Sequence, residues 1–373
     1  MMEQLITQLL SVAHGTRREL LSLHFGTPGS GEKIYIQASL HADEVPGMLV
    51  AQYLRKRLAA HDAAGRIRGE IVLVPVANPI GLAQSLAHSA SGRFDFHSGE
   101  NFNRNYPDLT LALIARVEGK LNQDPAHNRL EIRHAMQAEL AELVCIDELA
   151  SLRRTLLQLA VDADVVLDLH CDFEAVPHMY VGTPLWAEAE PLARFLRAEA
   201  VLLATRSGGN PFDEACAKTW WELAAHFEGK FPIPLACFAT TIELRGVKDV
   251  THAFAEQDAA AIESFLIHRG ALLGDPVVLP PPCCAPTPLA GSMPIIAPQP
   301  GILVFLAEVG AHLKQGDAIA DLVDPLSGTS TRLVSPVDGV LYAREVHRYV
   351  RAGTEIAKVA GADALRTGDL LAD

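Results

Sequence analysis

The chain has 373 residues, of which 49% are hydrophobic and 20% are charged. This length accommodates roughly two domains, and the composition excludes a largely disordered chain. The net charge of −14 argues against a protein that binds nucleic acid or an anionic membrane over its general surface, because both need basic patches.

The cysteines and the first residues of the chain indicate a cytoplasmic protein. Six cysteines are scattered along the sequence without a Cys-x-x-Cys pair, as is usual for reduced thiols. The first twelve residues include Glu3 and no continuous apolar stretch, so we do not expect a signal peptide. No other stretch reaches the roughly 18 apolar residues that a membrane span needs.

Strand and helix patterns alternate along the first three quarters of the chain. Strands are predicted at residues 19–25, 33–40, 70–76, 164–169 and 235–243, and helices at 1–13, 45–60, 128–160, 187–203, 212–227 and 252–269. Residues 83–127 have weak periodicity and predict a long loop of the kind that usually carries function. The alternation predicts an α/β fold with a mixed, largely parallel sheet and helices on both faces.

The composition changes near residue 276. Residues 276–290 are rich in proline and predict a linker, because proline cannot continue a helix or a central strand. Short apolar runs separated by turn residues then predict an all-β domain at residues 291–373. Residues 1–275 are therefore predicted to form one catalytic domain, with a second, smaller domain after the linker.

The most informative stretch lies where the strand predicted at residues 33–40 meets its helix. His41 follows the strand, and Glu44 lies three residues later near the first turn of the helix. Open α/β sheets bind ligands at this edge, and an imidazole and a carboxylate there can converge on one metal ion. A second explanation is that Glu44 has no ligand role and is simply stabilised near the first turn by the positive end of the helix dipole.

Two more predicted strands end in residues of the same chemistry. His170 follows the strand at residues 164–169, and Glu243 ends the strand at residues 235–243. Parallel strands would bring both ends to the edge that holds His41. Two histidines, one carboxylate and an open position for water are typical of a hydrolytic zinc site, and a glutamate beside that water is a suitable general base.

The long loop supplies polar groups that could bind a substrate. It contains Arg93 and the run Asn103-Arg104-Asn105-Tyr106. A guanidinium is the usual group for holding a carboxylate through two hydrogen bonds. The loop therefore predicts a small-molecule substrate that contains a carboxylate.

The order of these motifs resembles that of the zinc carboxypeptidase-like hydrolases. Within that group the chain is most similar to the succinylglutamate desuccinylase/aspartoacylase branch. The motifs are His41-Ala-Asp-Glu44, Asn78-Pro-Ile-Gly, Arg93-Phe, Asn103-Arg104-Asn105-Tyr, Asp168-Leu-His170 and Glu243-Leu-Arg245.

The resemblance implies metal-assisted amide hydrolysis with one zinc ion per chain. It implies that His41, Glu44 and His170 hold the zinc, which lowers the pKa of a bound water toward ~7. It also implies that Glu243 acts first as the base and then as the acid that protonates the leaving amine.

The resemblance also implies roles for the loop residues. Arg93 would polarise the substrate carbonyl, and Asn103 with Arg104 would anchor the substrate carboxylate. The sequence Glu243-Leu-Arg245 is nearer to the true carboxypeptidases than to the aspartoacylases, which leaves the substrate class open.

The C-terminal residues resemble a lipoyl/biotinyl-type barrel-sandwich domain, through Lys314-Gln-Gly-Asp, Ser335-Pro-Val-Asp-Gly and Val350-Arg-Ala-Gly. Such carriers bear a lysine at a hairpin tip, and residues 318–334 contain none. We therefore expect an unmodified domain with a role in structure or assembly, such as formation of a homo-oligomer.

Three functions remain open from the sequence. The first is an N-acyl amino acid deacylase that releases a free amine and a short carboxylic acid. The second is a cytoplasmic zinc carboxypeptidase that trims peptides. The third is a non-catalytic binding protein with a relic site. The presence of all three expected zinc ligands together with Glu243 argues against this third function.

Overall fold

The structure, a computed structural model, describes residues 2–371 and has a nine-stranded mixed sheet at its centre. The strands up to residue 288 are β1 (Glu3–Gln8), β2 (Glu19–Gly26), β3 (Lys33–Ala38), β4 (Glu70–Val74), β5 (Ser85–Leu86), β6 (Ser89–Ala90), β7 (Val165–Asp172), β8 (Glu174–Ala175), β9 (His178–Gly182), β10 (Ala200–Ala204), β11 (Phe238–Gly246) and β12 (Thr287–Pro288). The order in the sheet is β1-β2-β4-β3-β7-β11-β9-β10-β12. The pairs β1–β2, β2–β4 and β11–β9 are antiparallel, and the other neighbours are parallel.

Two groups of helices flank this sheet, as the sequence predicts. The helices are α1 (Pro46–Ala63), α2 (Pro79–Leu82), α3 (Thr110–Val117), α4 (Pro125–Glu142), α5 (Glu148–Ala160), α6 (Trp186–Phe195), α7 (Phe212–His226) and α8 (His252–Arg269). Helices α1, α6 and α8 pack together, and α3, α4, α5 and α7 form the other group. Strands covered on both faces are apolar along nearly their whole length, which explains the run Val165–Leu169 in β7.

Three parallel strands carry the sequence motifs to one edge of the sheet. Strands β3, β7 and β11 are neighbours, and β7 lies between the other two. In this register Glu243 of β11 lies opposite His170 of β7. His41 follows the end of β3, so the three strands deliver their polar residues to the same place.

The helix predicted at residues 1–13 is wrong, because residues 3–8 form β1 instead. This strand pairs along its full length with β2 at the edge of the sheet. An isolated helix of this length is marginal in water, whereas pairing with β2 satisfies the backbone groups of the segment. In so short a segment, the spacing of the apolar residues fits a helix as well as a strand.

Three other segments differ from their predictions in part. The helix predicted at residues 128–160 is two helices, because α4 ends at Glu142 and α5 begins at Glu148. The predicted loop at residues 83–127 contains the β5–β6 hairpin, the helix α3 and the start of α4. The helix predicted at residues 187–203 ends at Phe195, and its last residues form β10. Alanine and leucine occur in both α6 and β10, so composition alone does not separate them.

The C-terminal β unit, residues 292–361, consists of two antiparallel sheets around a core of its own. Its strands are β13 (Ser292–Ile296), β14 (Gly301–Phe305), β15 (His312–Leu313), β16 (Ala318–Val323), β17 (Ser330–Val334), β18 (Gly339–Arg344), β19 (Tyr349–Val350) and β20 (Glu355–Gly361). The likeness to a lipoyl-type barrel stays a prediction. The hairpin of β16 and β17 spans the residues that lack lysine.

The C-terminal β unit is joined to the rest of the chain by backbone pairing. Strand β8 pairs with β18, and Tyr342 accepts at its carbonyl a bond from the Val176 amide. Strand β12, which lies in the predicted linker, pairs with β10 of the large sheet. The domain boundaries predicted at residues 275 and 291 stay a prediction.

A buried ion pair ties α8 to the strand that carries Glu243. Arg245 of β11 donates to Asp258 of α8, and both residues are buried. We expect Asp258→Ala to lower the free energy of unfolding by about 3–5 kcal/mol, because it leaves a buried guanidinium unpaired. Denaturant titration measures the change.

The double variant Arg245→Met/Asp258→Leu serves as the control, since it removes both charges and should lose much less stability. A loss below about 1 kcal/mol in Asp258→Ala would contradict a structural role for the pair.

Among the described residues, no helix combines the length and the hydrophobicity needed to cross a membrane.

Candidate active site

The turn after β3 presents His41 to the edge of the sheet. Ser39 takes a left-handed backbone conformation with φ of 66°, which is uncommon outside glycine and redirects the chain. Asn78 donates from its side chain to the Leu40 carbonyl at 2.8 Å and holds the turn in place. On the other side Gly92 approaches so closely that a Cβ there would lie 2.3 Å from the Asp43 amide nitrogen.

Three buried side chains converge at this edge. Glu44 lies between two imidazoles, with Oε1 2.8 Å from His41 Nδ1 and Oε2 2.8 Å from His170 Nδ1. One potential ligand atom from each residue lies within 4.8 Å of the others. This spacing would let one cation bind all three groups. The structure thus brings together the three residues predicted as metal ligands.

The outward-facing nitrogens of both imidazoles meet oxygen atoms of other residues. His41 Nε2 lies 2.8 Å from Asn101 Oδ1. His170 Nε2 lies 3.0 Å from Asp168 Oδ2, as an ion pair that is not aligned for a hydrogen bond. Gln37 donates to the other oxygen of Asp168 at 2.9 Å. Histidines that bind metals usually have such partners, which fix the ring and its tautomer.

The charges within this cluster are strongly coupled. Burial opposes the ionisation of Glu44, but the two imidazoles outweigh it and hold the pKa of this carboxyl well below its usual range. Burial, assisted by Arg93, lowers the pKa of His41. Burial acts in the same direction on His170, but Asp168 and Glu44 outweigh it and raise its pKa. The site therefore combines an ionised carboxylate with one imidazole that favours the neutral form, His41, and one that favours the protonated form, His170, whose proton a bound metal ion would displace.

We expect Asp168→Asn to weaken metal binding by about 10–100-fold, because it removes the charge that orients and polarises His170. Competition with a chromogenic chelator measures the affinity. The matched control is Asp162→Asn, which changes a partly exposed aspartate that pairs with Lys33. Equal affinities in the two variants would show that Asp168 does not act on the metal site.

Arg93, the predicted carbonyl polariser, lies directly against the same cluster. Its Nη2 donates to Glu44 Oε1 at 3.2 Å, and its Nη1 lies 3.4 Å from His41 Nε2. Only a third of its side chain is exposed. The guanidinium is therefore held against two of the three candidate metal ligands.

Glu243, the predicted general base, borders the same cavity as His41 and His170. Its Oε2 is buried and has no hydrogen-bond partner among the described residues. Burial and the negative charge of Glu44 raise the pKa of Glu243 to about 8. A cation held by the cluster would oppose this shift, because a nearby positive charge favours the carboxylate.

The two predicted anchor residues also line the cavity, and both have other partners. Asn103 Oδ1 accepts a hydrogen bond from the Phe212 amide at 2.9 Å. Arg104 donates through Nε to the Leu371 carbonyl at 3.1 Å and through Nη1 to the Asn103 carbonyl. A substrate carboxylate at Arg104 would therefore share this guanidinium with the C-terminal segment or displace it.

The cavity has a volume of about 400 Å³ and is closed on one side by the C-terminal β unit. Lys358 of β20 donates to Asp172 Oδ2 at 2.9 Å, and Arg344 of β18 donates to Glu174 Oε2 at 2.7 Å. Both contacts cross between the C-terminal β unit and the segment that follows His170. The unit therefore forms part of the wall of the candidate active site.

Two other histidines and a pair of tryptophans lie outside the metal cluster. His97 is exposed on its loop, and His178 is buried with its Nδ1 2.9 Å from the Val176 carbonyl. Trp220 is buried in the core, whereas its neighbour Trp221 lines the cavity. Neither histidine belongs to the metal cluster.

Known proteins share both the sequence pattern and the fold. The family model of the succinylglutamate desuccinylase/aspartoacylase catalytic domain matches residues 30–269. The chain belongs to this family. No curated protein sequence matches it.

Solved structures of family members match nearly the whole chain. A family protein from Shewanella amazonensis is 29% identical with a TM-score of 0.85, over 96% of this chain and 98% of that one. A second, from Shewanella frigidimarina, is 27% identical with a TM-score of 0.82, over 96% and 97%. The ectoine utilization protein EutE from Ruegeria pomeroyi, with bound product, is 16% identical with a TM-score of 0.66, over 96% and 95%, and shares the fold.

Some functional groups were not predicted from the sequence. Asp168 could have been found, because a carboxylate two residues before His170 on a strand faces the same side. Asn101 lies 60 residues from the imidazole that it contacts, and Lys358 comes from the second unit. No local pattern marks either residue.

Proposed function

We propose that this protein is a zinc-dependent amidohydrolase that removes a short acyl group from an N-acylated amino acid or a related small amine. The observation that supports this most is the convergence of His41, Glu44 and His170 beside the unpaired carboxyl of Glu243 in one cavity. Membership of the desuccinylase/aspartoacylase family supports the same reaction class.

The residues present fit one zinc ion per chain. Two imidazole nitrogens and one carboxylate, with further partners behind the imidazoles, are the donor set of catalytic zinc sites. Zinc bound there would lower the pKa of a water ligand toward ~7 and polarise a carbonyl.

The protein's own groups would carry the proton and stabilise the charge. Glu243 would accept a proton from the attacking water and deliver it to the nitrogen of the leaving amine. Arg93 would donate hydrogen bonds to the carbonyl oxygen as negative charge develops, where one lost donor typically costs about 10²–10³ in rate. Both groups already border the cluster in the structure.

The substrate would be a small molecule that contains a carboxylate. Asn103 and Arg104 would receive that carboxylate, because they supply the polar wall beside the catalytic groups. The cavity of about 400 Å³ lies in the range for small ligands, and the C-terminal β unit limits its width. These features favour a deacylase over the alternative, a zinc carboxypeptidase.

A panel of N-acetyl and N-succinyl amino acids and blocked dipeptides, read by release of free amine, tests the proposal. We expect turnover of acylated amino acids and little turnover of peptides. Turnover of peptides alone would favour the carboxypeptidase, and no metal-dependent amine release from any compound would contradict the proposal.

The C-terminal β unit would act unmodified, because the hairpin of β16 and β17 offers no lysine for a lipoyl or biotinyl group. The protein would be cytoplasmic, because its six cysteines are all free thiols. Intact mass spectrometry of the chain tests whether the C-terminal β unit is unmodified, and we expect no lipoyl or biotinyl adduct.

A further inference from the structure

A row of buried polar side chains runs across the sheet from β3 into the candidate metal site. Tyr35 and Gln37 lie two residues apart on β3, and Asp168 and His170 lie two residues apart on β7. Gln37 and Asp168 are partners in the parallel register of the two strands. Because side chains alternate along a strand, all four face the same side of the sheet. The first three are fully buried, and His170 is nearly so.

Contacts between these side chains form a continuous path to His170. The Tyr35 hydroxyl donates to Gln37 Oε1 at 2.8 Å, and Gln37 Nε2 donates to Asp168 Oδ1 at 2.9 Å. The other oxygen of this carboxylate, Asp168 Oδ2, lies 3.0 Å from His170 Nε2. His170 presents its second nitrogen, Nδ1, to Glu44 in the metal cluster. The path therefore connects a tyrosine of β3 with a candidate metal ligand of β7.

The donors and acceptors on this path fit together in one orientation. Burial, assisted by the charge of Asp168, raises the pKa of Tyr35 well above its usual value, so the hydroxyl keeps its proton. That hydroxyl faces the amide oxygen of Gln37, which leaves the amide NH2 to face Asp168. A flipped amide would place its oxygen against the carboxylate, and two acceptors cannot share a hydrogen bond. Tyr35 thus fixes Gln37, and Gln37 fixes Asp168.

Packing alone does not explain these polar groups. An amide or a hydroxyl that is buried without a hydrogen bond costs free energy. Apolar side chains at positions 35 and 37 would fill the same space without that requirement, as Ile34 and Ile36 do on the other face of β3. The hydrogen bonds of both groups instead lead to one carboxylate, which contacts a candidate metal ligand.

We propose that Gln37 and Tyr35 are positioning residues for metal binding that act on His170 through Asp168. Gln37 holds the carboxylate with one oxygen against the imidazole, and this contact keeps Nδ1 of His170 directed at the cluster. Tyr35 holds the amide of Gln37 in the orientation that this requires. The inference rests on the metal site of the proposed function, but not on its reaction or its substrate.

A double-mutant cycle on the full chain tests this inference. Gln37→Met keeps the length of the side chain and removes the donor, and Asp168→Ala removes the group through which Gln37 would act. Competition with a chromogenic chelator gives the zinc affinity of the unchanged protein, both single variants and the double variant. Gln137→Met on α4 is the control, because Gln137 donates to the Gln158 carbonyl and is not among the residues that line the cavity.

We expect Gln37→Met to weaken zinc binding by about tenfold, at the lower end of the range for residues that contact a ligand and not the metal. When Asp168 is already alanine, the same change should have no further effect, because the group that Gln37 holds is gone. The visible absorption spectrum of the protein loaded with Co²⁺ should change in Gln37→Met and not in Gln137→Met, since it reports the geometry of the ligands.

Tyr35→Phe provides a second cycle, which serves also where Gln37→Met does not fold. It removes one oxygen and keeps the buried ring. We expect a smaller loss of zinc affinity than in Gln37→Met, and again no loss when Asp168 is alanine.

The outcomes separate failure of this inference from failure of the proposed function. Equal loss of zinc affinity from Gln37→Met with and without Asp168 would indicate a general structural role and overturn the inference. Unchanged zinc affinity in folded Gln37→Met would overturn it too and leave the proposed function standing. Zinc binding that depends on Gln37 through Asp168, without amine release from any N-acyl amino acid, would support the inference and contradict the function. A protein that binds no zinc would contradict both.

Discussion

Glu243→Gln is expected to lower kcat by about 10²–10⁴-fold, with little change in metal content or thermal midpoint. The amide has nearly the same shape as the carboxylate but cannot accept the proton of the attacking water. Glu243 Oε2 has no hydrogen-bond partner among the described residues, so the change to an amide breaks no hydrogen bond of that atom and should cost the fold little. Amine release from an N-acyl amino acid and elemental analysis of the same sample measure the two effects.

Glu190→Gln is the matched control, because Glu190 is a surface residue that pairs with Arg194. Such exposed pairs contribute little to stability, so this variant should keep full activity. Near-normal kcat in Glu243→Gln, with metal retained, would show that another group transfers the proton.

His170→Ala is expected to weaken metal binding by more than about 100-fold. Changing a residue that only contacts a metal ligand typically weakens binding by about 10–100-fold, and loss of the ligand itself should weaken it more. One of three donors is lost, and Glu44 loses the imidazole that holds its second oxygen. Activity should fall to background at low metal concentration and recover in part when metal is added. Equilibrium dialysis against zinc buffers measures the affinity.

His97→Ala controls for the loss of an imidazole, because His97 is exposed in the loop outside the cluster. The control should bind metal as tightly as the unchanged protein. Full metal affinity in His170→Ala would show that His170 is not a metal ligand. It would also contradict the prediction that the ends of the parallel strands form the metal site.

Residues at the ends of parallel strands were the part of the site that sequence analysis could predict. His41 and His170 each follow an apolar run, and a parallel sheet forces such ends together whatever their separation in sequence. Glu44 could be predicted as well, because it lies only three residues after His41. The convergence of these groups therefore rests on local patterns and a single rule of topology.

Other contacts depend on packing that no local pattern encodes. Asn101 reaches His41 through the fold of a long loop, and Arg104 meets the C-terminal segment from 267 residues away. The same holds for β1. The spacing of its apolar residues fits a helix, but pairing with the edge of β2 makes the segment a strand.

Crystals of the full chain, measured at the zinc absorption edge, would test the central claim most directly. The account predicts one anomalous peak per chain, bounded by Nδ1 of His41, Nδ1 of His170 and the carboxylate of Glu44 at ~2.0–2.2 Å. A peak held by other residues, or none from protein purified without chelator, would contradict the assignment of these three side chains as the metal site.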